Sequence, residues 1–315
     1  MTEASTSPLG AIASGPGHDV AIYEWCAWES FLGQLLLPAA MHIQGAVEDT
    51  AADVLAQLHA DCRTFLFQIN LSLSEKFPSE RKELVAGLLA RGIRVLNRGV
   101  EDIRKSSLHR LLAKAGLPSA ATTEDGPADE VLIVKTDCNY GGRYERILTQ
   151  VQRRRLEIPD AEIGLSGWDD YRVLPRSEMP PEWWCDPTLV VERFIENPEG
   201  RFFRVVVAGE SVMVVEAYHE AMIKKVGGGS RDRNFFIDRA RLSQLTGNPY
   251  LSGDLLILID RFLAASGLDF GSLDIVHKNE EFYIVDLNTT PYGSRDGLKD
   301  DVAEFLRSGI RRVPF

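Results

Sequence analysis

Residues 271–293 read GSLDIVHKNEEFYIVDLNTTPYG, and the pairing of this stretch decides what kind of site the chain builds. Two apolar runs, SLDIV and EFYIVDLN, flank the polar turn His277-Lys278-Asn279-Glu280-Glu281, the pattern of a β-hairpin. Each run also carries acid: Asp274 in the first, Asp286 with Asn288 in the second. Positions 286 and 288 differ by two, so their side chains leave the strand on one face. Paired in register, Asp274 joins them there. Three hard oxygen donors on one face suit a Mg²⁺ ion whose other ligands are substrate phosphates. The plain alternative is a hairpin whose acids face water, but apolar strands rarely turn two carboxylates inward without a partner.

The rest of the chain sets bounds on that reading. Its 315 residues are enough for two or three cooperating lobes, and 44% hydrophobic with 26% charged residues is an ordinary globular balance. With 46 acids against 35 bases the net charge is −11, which disfavours a general nucleic-acid or anionic-membrane binder despite the local run Arg153-Arg154-Arg155. No apolar run reaches the roughly 20 residues of a membrane span. The opening MTEASTSPLGAIASGPG lacks a basic n-region and reads as a disordered lead-in over 1–18; its Gly15-Pro16-Gly17 is no dinucleotide fingerprint. Cys26, Cys62, Cys138 and Cys185 lie far apart, as reduced thiols of a cytoplasmic protein do.

Over residues 19–97 apolar strands alternate with amphipathic helices: DVAIYEW (19–25), a helix over 30–41 bent by Pro38, HIQGAV, a helix over 51–61, RTFLFQIN (63–70), a helix over 80–92, and IRVLN (93–97). That order predicts a parallel α/β lobe. A helix over 100–118 follows, stopped by Gly116 and Pro118. Next come a strand and glycine loop in EVLIVKTDCNYGGRYE (130–145), and an irregular insertion over 146–186 containing Trp183-Trp184. Strands are predicted over 189–196 and 201–220, a mobile loop over 224–234, and helices within 248–267 and over 297–312. The fold class is α/β with α+β lobes, divided into 19–99, 100–188 and 189–315.

Nucleotide chemistry is legible in the order of these pieces. Lys135 ends a buried strand just before Gly141-Gly142, which puts a fixed cation beside backbone N–H groups able to cradle phosphate. Lys105, on the preceding helix, supplies a second cation. LVVERFIENPEG runs from a strand into a short polar connector whose backbone can bond a base edge.

That order resembles the ATP-grasp family, over about residues 97–293, with the preceding lobe similar to the family's usual N-terminal domain. DIRKSSLHRLLAKAGLP matches the family's lysine-bearing helix, LIVKTDCNYGG its second lysine and glycine loop, and SLDIV with VDLN its two metal-bearing strands. The resemblance implies ATP and Mg²⁺ as cofactors. Lys105, Lys135, Gly141 and Gly142 would then hold phosphate, and Asp274, Asp286 and Asn288 the metal. Glu192 would meet the adenine amino group, with the backbone of Arg193, Phe194 and Ile195 along the base and Glu199, or else Glu196, on the ribose. Arg204, with Lys135 and Asn288, would act on the transferring phosphoryl group; Arg231 or Arg233 with Asn234 are further candidates.

The pattern also departs from the family's. Asp286-Leu287-Asn288 stands where Glu-x-Asn is usual, Phe202 where an Asp is common, and Ser272 where D-alanine ligases carry Arg. The implied activity is that of a RimK-like carboxylate–amine ligase working through an acyl phosphate. Its partners would be a small-molecule or peptide carboxylate and an amine acceptor, with a homodimer as one option. A small-molecule kinase and a non-catalytic ATP-binding module are the alternatives. Trp25, Trp28 and Glu29 sit where a parallel lobe places ligands, although packing explains them as well; Gly227-Gly228-Gly229 reads as a lid hinge or a plain turn.

Overall fold

The computed structural model describes residues 19–25, 31–158, 171–222, 230–245, 247, 249–293 and 298–313. The lead-in, Cys26, Trp28, Glu29 and Gly227-Gly228-Gly229 lie outside them. Apolar strands come first: β1 (Val20–Trp25), β2 (Met41–Gln44), β3 (Thr64–Ile69) and β4 (Arg94–Leu96) form an all-parallel sheet in the order β2-β1-β3-β4. β3 is buried at all six positions, as a strand covered on both faces must be. On one face α2 (Ala51–Gln57) and α3 (Arg81–Ala90) set Val54, Leu84 and Leu88 against Tyr23, Phe65 and Phe67. On the other, α1 (Leu32–Leu36) packs Leu32 and Leu36 near Ile22 and Leu66. Thr50 opens α2 with a capping box to Asp53.

After α4 (Lys105–Ala115) comes a small antiparallel sheet of β5 (Val131–Thr136), β6 (Arg172–Pro175) and β7 (Leu189–Arg193), with β5 in the centre; α5 (Arg143–Ile147) and α6 (Gln150–Arg155) lie between β5 and β6. The third sheet is antiparallel: β8 (Arg201–Ala208), β9 (Ser211–Tyr218), β10 (Ser230–Asp238), β11 (Phe270–Lys278) and β12 (Glu281–Asn288), in the order β10-β9-β8-β11-β12. One face packs Val205, Val207, Leu273 and Ile275 under α4 and α7 (Gly253–Ser266). The other sets Val206, Met213 and Phe270 against α8 (Asp300–Arg312) and against Leu36, Leu66 and Leu96, so the parallel lobe and this sheet share a core. Gly309 permits that contact: a Cβ there would stand 2.2 Å from Ala208 O.

The structure departs from the sequence reading in several places. Residues 230–234, expected at the end of a mobile loop, belong instead to edge strand β10, which has a bulge between Arg231 and Arg233. Charge-rich segments suit edges, where one side of the backbone is unpaired. The irregular insertion supplies β6, which has too few residues to show a period. The hairpin turn is Asn279-Glu280 alone, with Asn279 at φ 57°, because His277, Lys278 and Glu281 stay in the ladder. β7, grouped by sequence with the C-terminal part, hydrogen-bonds to β5. The helix expected from residue 100 starts at Lys105, for a reason that belongs to the site.

Candidate nucleotide and metal site

A β-bulge sets the row of charges. Asp274 pairs with Asp286 and Ile275 with Ile284, so Val285 is the extra residue on β12. It lets both Ile284 and Leu287 enter the core while Asp286 and Asn288 stay together on the other face. On β8, Arg204 is the partner of Asp274, giving the cross-strand row Arg204, Asp274, Asp286. Arg204 donates from Nε to Asp274 Oδ1 at 2.7 Å and from Nη2 to Oδ2 at 2.8 Å. Burial works against the Arg204 charge, but the adjacent Asp274 outweighs it and holds the guanidinium above its ordinary value. The Asp286 side chain is 36% exposed; burial by the surrounding protein pushes its carboxyl up, only partly offset by Lys105 at 3.8 Å.

Both lysines are buried here. Lys135 on β5 donates to Glu192 Oε2 of β7 at 2.6 Å and to Val285 O at 3.5 Å. Glu192 is 1% exposed, with His109 Nε2 of α4 3.1 Å from its other oxygen, off the hydrogen-bonding axis. Burial alone would raise this carboxyl; Lys135 and then His109 outweigh it and hold it near 2. Lys105 opens α4 because the segment after β5 caps the helix: Asp137 O accepts from Lys105 N, and the Asp137 carboxylate from Ser106 N and Oγ at 2.7 and 2.8 Å. From there its Nζ donates to Asn139 Oδ1 at 3.2 Å and Cys138 O at 3.5 Å.

Between Lys135 and α5 the backbone turns left-handed three times in succession, with φ of 51° at Tyr140, 63° at Gly141 and 69° at Gly142. Ser72 of the parallel lobe accepts from Asn139 N at 2.8 Å, and Asn139 Nδ2 donates to Leu287 O at 2.7 Å. Asn288 is held on two sides: its Nδ2 donates to the Tyr140 hydroxyl at 2.8 Å, and its Oδ1 accepts from Thr290 N at 2.8 Å.

Two carboxylates and an amide oxygen on adjacent strands make a donor set that fits Mg²⁺, with Asp286 penalised by burial and in want of a cation. Among the described residues no group of three or more His, Cys, Asp or Glu offers a competing centre, and no helix is long and apolar enough to cross a membrane.

No family model matches the chain, and no curated protein does. Solved structures do. A RimK-domain ATP-grasp protein from Sphaerobacter thermophilus superposes with a TM-score of 0.50 at 17% identity, over 92% of this chain and 98% of its own. A RiPP-associated ATP-grasp ligase from Chryseobacterium gregarium, in complex with ADP and a leader and core peptide, gives 0.50 at 13%, over 92% and 96%.

This chain has the ATP-grasp fold.

Within that fold, the structure brings Lys105, Lys135 and Arg204 up to the β11–β12 hairpin that carries Asp274, Asp286 and Asn288. The connector residues are placed differently. The Arg193 N–H, expected along a base, is given to Ala120 O, and its guanidinium donates to Ser119 O at 2.6 Å. The Phe194 N–H goes to Val131 O. Phe194 and Ile195 are half-buried, Glu199 is exposed and 3.9 Å from His277 Nε2, and Glu196 pairs with Lys278 at 3.3 Å. Glu192 is sealed beneath Lys135 instead of standing open. Arg233 lies over the Tyr250 ring.

Sequence reasoning missed His109, Asp137 and Tyr140. His109 had a signal, since it sits four residues after Lys105 and so on the same helix face. Asp137 and Tyr140 had none, because a cap from outside the helix and a left-handed backbone at tyrosine leave no periodic trace.

Proposed function

We propose that this chain is an ADP-forming ligase that joins a carboxylate to an amine, using ATP and Mg²⁺. The observation that carries the reading is the convergence of Lys105, Lys135 and Arg204, from a helix and two different sheets, on the row holding Asp274, Asp286 and Asn288. Such an array suits a transferring phosphoryl group, whose charge needs fixed cations and exact placement more than covalent chemistry. A substrate carboxylate oxygen attacks the γ-phosphorus, the bond to ADP breaks, and an acyl phosphate forms. The amine nitrogen then attacks the acyl carbon and phosphate leaves.

Lys135, steadied by Glu192, and Lys105, steadied by Asn139, face the phosphates; Arg204 offsets charge at the transferred group. Asp274, Asp286 and Asn288 would hold Mg²⁺, which would supply further neutralisation of phosphate charge. The acid is a small molecule or a peptide, the latter prompted by the peptide bound to the C. gregarium protein.

The test is release of ADP and phosphate with paired panels of acids and amines, with hydroxylamine added to trap the acyl phosphate. A stable phosphorylated product formed without an amine would instead make the protein a kinase. Tight MgATP binding with no turnover on any pair would reduce it to a binding module.

A further inference from the structure

We propose that Tyr140 is a positioning residue that couples the glycine loop to the metal-bearing strand, an assignment that rests on the nucleotide reading above. Two independent observations carry it. The first is backbone strain: Tyr140 holds φ 51° and ψ 31° beside two glycines in the same conformation, a region disfavoured for an aromatic residue and easy for glycine. A tyrosine kept there is kept for its side chain. The second is what that side chain does. Its hydroxyl donates to Thr290 O at 3.0 Å and therefore meets Asn288 as an acceptor, taking the Nδ2 hydrogen at 2.8 Å. Asn288 is thereby turned with Oδ1, its only cation-binding atom, away from the loop and against Thr290 N.

The neighbouring residue repeats the tie, with Asn139 Nδ2 on Leu287 O. The ring is fixed edge-on against Tyr144 at 5.4 Å, so the hydroxyl has little freedom to wander. The loop that would cradle phosphate, the amide that would hold metal and the tail beyond β12 thus share one hydroxyl. Moving the loop moves the metal ligand.

The experiment uses the full chain and the variants Tyr140→Phe and Tyr140→Gly. Amide hydrogen exchange is followed across 139–142 and 288–290, and ADP binding is measured by calorimetry with and without Mg²⁺. Tyr140→Phe should quicken exchange at Thr290 and in the loop. It should raise the Mg²⁺ concentration for half-maximal ADP binding roughly threefold to tenfold, the worth of neutral hydrogen bonds, and weaken Mg²⁺-free ADP binding by a smaller factor. Tyr140→Gly relieves the backbone and should show the same Mg²⁺ defect. A Tyr140→Phe protein with wild-type exchange and wild-type Mg²⁺ dependence overturns the proposal, as does one that only melts earlier. Failure of the wild type to bind ADP at any Mg²⁺ concentration overturns the nucleotide reading instead, and the exchange comparison still decides whether the latch exists.

Discussion

Arg204 and Asp274 are direct cross-strand partners on β8 and β11, and the guanidinium grips both carboxylate oxygens at 2.7 and 2.8 Å. The prospective metal ligand and the prospective phosphate-binding cation are therefore one unit. Asp274→Asn keeps the shape and removes the charge, and should lower kcat/KM for ADP formation at least about a hundredfold. Arg204→Lys keeps the charge but not the fork, and should give a smaller loss. Steady-state kinetics across Mg²⁺ concentrations checks both; full activity in Asp274→Asn would remove the residue from the site.

Asp286 sets function against stability. Burial raises its pKa above the ordinary 3.8, so the folded state favours the protonated form. The associated stability is complete below 3.8 and is lost as pH rises through the folded-state value. Asp286→Asn should therefore melt higher than the wild type in ligand-free protein, by a larger margin at pH 8 than at pH 3, while Mg²⁺-dependent activity falls. Thermal unfolding at the two pH values decides it; equal melting temperatures at pH 8 would contradict the assignment.

Lys135 and Glu192 form a buried pair in which each justifies the other's charge. Glu192→Gln strands an ammonium, and Lys135→Met leaves the carboxylate with His109 alone. Each should cost about 3–5 kcal/mol, while the double change Lys135→Met with Glu192→Gln should cost less than the sum of the two. Because the Glu192 pKa is lowered, its contribution is present above 4.5 and declines only as pH falls through about 2. Urea denaturation at pH 7 of the two singles and the double provides the cycle, and simple additivity would refute the coupling.

Asn97 joins the parallel lobe to the five-stranded sheet. At φ 58°, it donates from Nδ2 to Phe270 O at 2.7 Å and accepts through Oδ1 from Asp269 N and Phe270 N at 3.1 and 2.9 Å. Asn97→Ala should lose about 2–4 kcal/mol by leaving those backbone groups unpaired and keeping a left-handed φ at alanine. Asn97→Gly should lose less, since it repairs the backbone term. Denaturation midpoints that ranked the two variants the other way would show that φ is not the issue.

Much of the fold was legible because its signals are local. The apolar runs of β1, β3 and β5 and the stop at Gly116 each reside in a few adjacent residues. β6 and β10 escaped because short or charged edge strands have little hydrophobic period to read. In the site, Asp286 and Asn288 were placed on one face by spacing alone, yet the bulge at Val285 that makes this compatible with Ile284 and Leu287 in the core depends on β11.

By itself the sequence determined which residues carry charge, which strands bury, and the order of lysine, glycine loop, connector and acidic hairpin. Those are properties of neighbours along the chain, governed by side-chain type and backbone period. Tertiary structure alone decided the pairings: Arg204 with Asp274, Lys135 with Glu192 and His109, Asp137 on α4, and Tyr140 on Asn288. A charge or hydroxyl in a low-dielectric interior is satisfied by whatever group the packing brings within about 3 Å, and that partner is unrelated to distance in sequence.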